Sequence, residues 1–134
     1  MLIETAVIAP ALLTLSIGGF EVATMVAKQS RLQSTAELAT EIATVTAPDT
    51  DGERLAIQTE LSHALPANAS IQVQFQYRCG TETTMSTTVP IGCSEDMLAT
   101  YLHIELSDYY EPLWTDFGIG NGFEYNVERT VQVS

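Results

Sequence analysis

Residues 1–27 read MLIETAVIAPALLTLSIGGFEVATMVA, and this stretch decides the fold. Nearly every position is apolar or small, and a carboxylate stands near each end, Glu4 and Glu21. A secretory signal would open on Lys or Arg and close on a small-residue cleavage site. Neither is present, and the apolar run passes without a break into a helical pattern. The stretch is therefore expected to be a membrane anchor, or the start of a chain whose basic leader has been removed. The uncharged run from Thr5 to Phe20 is short for a full span. It reaches spanning length only if it extends to Ala27 with Glu21 near an interface. Lys28 and Arg31 then mark the water side.

Three features are unusual in a simple anchor. Glu4 is costly in hydrocarbon unless paired, and its nearest expected partner is a free α-amino group, its own or a neighbour's. Pro10 removes a backbone donor inside the helical run and favours a kink or a melted turn. Gly18 and Gly19 form a second soft spot and allow close backbone approach. Together they point to a helix that packs against copies of itself.

Beyond Ala27 the helix is expected to continue. Leu32, Ala36, Ala39 and Ala43 recur at spacings of three and four. One helix from Leu2 to about Val45 is predicted, greasy all round in its first half and amphipathic in its second. Ala47-Pro48 ends it.

The segments Ile3 to Leu13 (IETAVIAPALL), Gly18 to Val22 (GGFEV) and Lys28 to Gln33 (KQSRLQ) resemble the TadE-like pilins and pseudopilins of the tight-adherence branch of type IV pili. The resemblance covers about the first 45 residues. Thr5 departs from it, standing where the family usually has an aromatic. Glu4 is the fourth residue here, where related mature pilins commonly carry the acid fifth, so Met1 is read as the second mature residue. The resemblance implies a precursor held in the bacterial inner membrane and cut by a prepilin peptidase. Pilus assembly machinery would then build it into an extracellular filament with copies of itself or related pilins. It further implies that Glu4 neutralises the N-terminal amine of an adjoining subunit. Pro10, Gly18, Gly19, Glu21, Lys28 and Arg31 complete the assembly set. Within one helix Glu21 is too far from Lys28 or Arg31 for contact, so its partner is expected to be one of those cations on another subunit.

The 134 residues suffice for one domain. Two regions are expected: the long helix over 1–47 and a globular, β-rich region over 48–134. The formal net charge of −12, from 17 acids against 5 bases, argues against nucleic acid, since phosphates would find little to neutralise them. It argues equally against anionic head groups and reads as a solvated surface. Asp49, Asp51 and Glu53 lie close together but lack a calcium-loop spacing. Cys79 and Cys93, an even pair behind a membrane-type N-terminus, are expected to form one disulfide in an oxidising compartment rather than remain free thiols. With the distant His63 and His103 they make no metal-ligand pattern.

In the second region Thr50 and Glu53 form a capping-box pattern, opening a short amphipathic helix that Pro66 closes. Ile71 to Arg78 alternates cleanly as a strand. Thr81 to Val89 is either a hairpin arm or an exposed loop. Thr100 to Ser107 is the next strand, with Leu102, Ile104 and Leu106 inward and His103 and Glu105 on the other face. Phe123 to Val133 is the last, carrying Arg129 on its apolar face either at the sheet edge or paired with an acid. Between them, Asp108 to Phe117 concentrates Tyr109, Tyr110, Trp114 and Phe117. These aromatics either plug one end of the sheet or form a partner surface. The glycine-rich 118–122 segment lacks the lysine and the framing of a phosphate loop.

The fold class expected is α+β, pilin-like: a long N-terminal helix, then a small antiparallel sheet of three to five strands with one short helix. The function expected is a structural filament subunit, main or minor. The alternative is a membrane-anchored extracytoplasmic binding module that does not polymerise. No nucleophile stands beside a base, so neither an enzyme nor a cofactor is expected.

Overall fold

The structure is a computed structural model that describes the backbone of residues 2–134 and the side chains of residues 5–134; the Glu4 side chain lies outside the described residues. Helix α1 spans Leu2–Thr46, about 68 Å at the standard rise. Helix α2 spans Asp51–Ala64. Three strands follow, β1 (Ala69–Cys79), β2 (Leu98–Tyr110) and β3 (Phe123–Gln132). They form one antiparallel sheet in the order β1-β2-β3. The architecture is α+β, a long helix and a short one against a three-stranded sheet.

The hydrogen-bonded helix runs unbroken through Pro10 and across Gly18 and Gly19, so the melted turn expected at the proline is absent. A proline leaves only one carbonyl without its donor, and the turns on either side hold the rest. Among the described residues nothing outside the helix's own neighbouring backbone lies within 4 Å of where a Cβ would stand at either glycine. The helix ends at Ala47, whose φ of 41° places it in the left-handed region, while its N–H donates to the Ala43 carbonyl at 2.9 Å. Pro48 follows and cannot continue the helix.

At the start of α2 the Glu53 N–H donates to Thr50 Oγ1 at 3.3 Å. The Glu53 carboxylate reaches back one residue further than a capping box requires and accepts from the Asp49 N–H at 3.1 Å. That backbone donor holds the Glu53 carboxyl below the usual carboxylate range.

The core lies on one face of the sheet. In register, Ile71 pairs with Leu106, Val73 with Ile104, and Leu106 with Val127. Alternation brings all of them to the same side, where α1 covers β2 and β3 and α2 covers β1. Leu32, Ala36, Ala39 and Ala43 of α1 enter this cluster, and the three alanines are fully buried. The small residues let the helix backbone sit close to the sheet. The break after residue 47 therefore ends α1 without dividing the core, since the second half of the helix belongs to the same cluster as the strands.

Cys79 and Cys93 are joined, with Cα atoms 5.8 Å apart. The bridge ties the end of β1 to the long β1–β2 connection. The 81–89 segment is a loop, held to β1 by a single bridge between Tyr77 and Ser86. Arg129 is exposed on edge strand β3 and donates to the Glu128 carbonyl at 2.9 Å; among the described residues it forms no ion pair with an acid.

Candidate functional site

The part of the molecule that sets it apart is where α1 leaves the globular region. Below Glu21 the described large apolar side chains of the helix are exposed. Val7, Leu12, Leu13, Leu15, Ile17 and Phe20 are exposed, Leu15 at 72 %. The apolar stretch also hides its own polarity. Thr14 donates to the Ala11 carbonyl at 2.9 Å and Ser16 to the Leu12 carbonyl at 2.8 Å, so neither hydroxyl needs water. Helix α1 is long and apolar enough to cross a membrane.

Glu21 stands where this stretch meets the sheet, and it is 1 % exposed. A carboxylate so buried needs donors. Among the described residues it has two, and neither comes from a cation. The Tyr110 hydroxyl, at the end of β2, donates to one oxygen. The Leu113 N–H donates to the other at 3.3 Å. The bond to Glu21 is the main reason the Tyr110 phenol is pushed up to about 12, with burial and the carboxylate's charge adding to it. Glu21 thus has donors within its own chain, one from the end of β2 and one from the turn that follows it.

Two turns further along α1, Lys28 is also committed. Its Nζ lies 3.5 Å from Asp108 Oδ2, with Asp108 almost wholly buried, and 4.8 Å from the centre of the Tyr110 ring. Burial raises the phenol of Tyr125, opposite Asp108 on β3, and the charge of Asp108 adds to it. Asp108 Oδ1 is buried without a hydrogen-bond partner among the described residues. Asp108 and Tyr110 continue the inward phase of Leu102, Ile104 and Leu106. The helix and β2 therefore run antiparallel, Glu21 against Tyr110 and Lys28 against Asp108. Arg31 is exposed, and with Lys28 it lines a cleft of about 460 Å³ between α1 and the end of α2.

The aromatic segment divides. Tyr109 and Tyr110 are the last residues of β2, while Trp114 and Phe117 belong to a short 3-10 turn, Leu113–Phe117. With Leu113 and Ile119 they face Thr14, Ile17 and Gly18 of α1 across an open groove of about 440 Å³. The segment lies beside the apolar helix.

On the opposite sheet face, His103 Nδ1 lies 3.0 Å from Thr130 Oγ1 and Glu105 accepts from Asn126 at 3.1 Å, each across to β3. His63 is exposed in the last turn of α2. Among the described residues no cluster of three His, Cys, Asp or Glu side chains is arranged to hold a metal ion. No family model, no curated protein and no solved structure matches this chain.

Proposed function

We propose that the protein is a membrane-anchored structural subunit of a pilin-like filament. The observation that carries this is the division of α1. Its second half is built into an α+β core, while the large apolar side chains from Val7 to Phe20 stand exposed outside that core. A surface of that kind needs lipid or other apolar helices to cover it. Lipid covers it in the precursor and the helices of other copies cover it in the filament. The disulfide fits an oxidising exterior. The motif of residues 3–33, with its resemblance to the TadE-like pilins, supplies the rest of the reading. Glu4 is assigned to pairing with the N-terminal amine of a neighbour, and Glu21 to the chain's own sheet.

The test is immunogold electron microscopy of expressing cells, with antibodies against residues 70–134. Label along extracellular fibres supports a main subunit, and label at tips or bases a minor one. Label over the envelope without fibres counts against polymerisation and favours an anchored binding module. Glu4→Ala is expected to abolish fibres while the chain stays in the membrane fraction. Normal fibres from that variant would refute the amine-pairing role.

A further inference from the structure

We infer that the turn Leu113–Ile119 is a second membrane contact, seated in the interfacial layer of a phospholipid bilayer beside the helix that spans it. The inference rests on the anchored precursor proposed above and adds a site to it.

Depth is the first argument. The uncharged run from Thr5 to Phe20 rises about 24 Å, most of the thickness of a bilayer's hydrocarbon layer, and ends at Glu21. The outer boundary of that layer then falls near Glu21. Thr14, Ile17 and Gly18, which face the turn across its groove, lie about 4–10 Å below that level. This is the depth at which interfacial elements sit. A bilayer that receives the helix therefore meets Trp114, Phe117 and Ile119 as well.

Composition and exposure agree. Leu113, Phe117 and Ile119 are exposed, Phe117 at 80 %. They continue the bare apolar surface of α1 rather than forming a separate patch. Trp114 brings an indole to the level where such rings prefer to sit. Asp116 is exposed in the same turn, which places the seat among head groups rather than deep in hydrocarbon.

The backbone supplies the third argument. An irregular segment at this depth is tolerated only if its polar groups are satisfied. Here Leu113 N–H is bound by Glu21, Thr115 N–H by the Pro112 carbonyl, Gly118 N–H by the Thr115 carbonyl and Ile119 N–H by the Trp114 carbonyl. The Thr115 hydroxyl also donates to the Pro112 carbonyl. Glu21 thus ties the turn to the helix at the boundary and is shielded by it.

Trp114 is the only tryptophan, so its emission reports the seat directly. The full chain is placed, one copy per disc, in phosphatidylcholine nanodiscs whose acyl chains carry bromine near the head group or near the methyl end. Emission is expected to be blue-shifted and lowered about two-fold by shallow bromine, with less effect from deep bromine, as an interfacial depth requires. Water-like emission unchanged by either lipid would overturn the inference. A Trp114→Phe/Leu12→Trp variant reads the helix in the same discs. If that tryptophan is quenched by deep bromine while Trp114 in the native chain is quenched by neither lipid, the seat is wrong and the anchor stands. If neither is quenched, both fall.

Discussion

Tyr110→Phe removes one hydroxyl and isolates the bond that joins helix to sheet. The oxygen it leaves is on a carboxylate that is 1 % exposed, and the remaining donor, Leu113 N–H, serves the other oxygen. Hydrogen bonds to charged groups contribute about 1.5–3 kcal/mol, and a buried acceptor left without its donor forfeits a similar amount. The loss expected is about 2 kcal/mol, or roughly 8 °C in melting temperature for a chain of this size. The informative partner is Glu21→Leu. Replacing both members by apolar groups of similar shape leaves only the Leu113 N–H without its acceptor, so Glu21→Leu/Tyr110→Phe should recover part of the loss. The full chain in a mild detergent micelle, melted at neutral pH and followed by circular dichroism and Trp114 emission, provides the cycle. A double variant as unstable as the sum of the two singles, within about 0.5 kcal/mol, would mean the residues act independently and would refute the latch.

Lys28→Met leaves Asp108 buried without a cation and should cost about 3 kcal/mol, somewhat below a fully buried pair because Lys28 is partly exposed; adding Asp108→Leu should restore more than half of this in the same melts. Cys79→Ser/Cys93→Ser opens a loop with a sequence separation of 14 and should cost roughly 3 kcal/mol, read as a lower melting temperature that reductant no longer changes. The Tyr110 phenol is raised by its bond to Glu21 to about 12 from an ordinary 10. Because the folded state favours the protonated phenol, this contribution to stability is complete below pH ~10 and is lost as pH climbs through ~12. Melting temperature against pH should show that fall in the native chain and lose part of it in Tyr110→Phe.

Much of the fold was legible because single periodicities ran long enough to read. The three-and-four spacing of Leu32, Ala36, Ala39 and Ala43 identified the buried stripe of α1, and strict alternation identified β1. The functional boundary was read less well, and the reason is one strand end. The predicted strand stopped at Ser107, where Asp108 and the tyrosines interrupt the apolar pattern, but β2 continues to Tyr110. Those last residues hold both polar partners of α1. A signal was present, since Asp108 and Tyr110 keep the two-residue phase of Leu102, Ile104 and Leu106. Glu21 and Lys28 likewise keep the seven-residue phase of the stripe that Leu32 continues. Reading Glu21 against helix cations alone missed it, because the partner is 89 residues away in sequence.

The same pairs resolve an ambiguity that the apolar packing leaves open. Ala36, Ala39 and Ala43 offer the sheet nearly equivalent surfaces one turn apart, so a slide of α1 by one turn, about 5.4 Å, would change the alanine contacts little. It would change the polar ones a great deal. Glu21 would leave Tyr110 and Leu113 and enter either lipid or an apolar interface, and Asp108 would lose Lys28. Each displaced charge costs several kcal/mol, more than the slide could regain by packing. The two acids therefore set the register of the helix on the sheet, while the alanines set its distance. Register also fixes how far the bare end of α1 projects and where the Leu113–Ile119 turn lies along it. In a filament built by packing such helices, that projection would set the position of every domain on its neighbour.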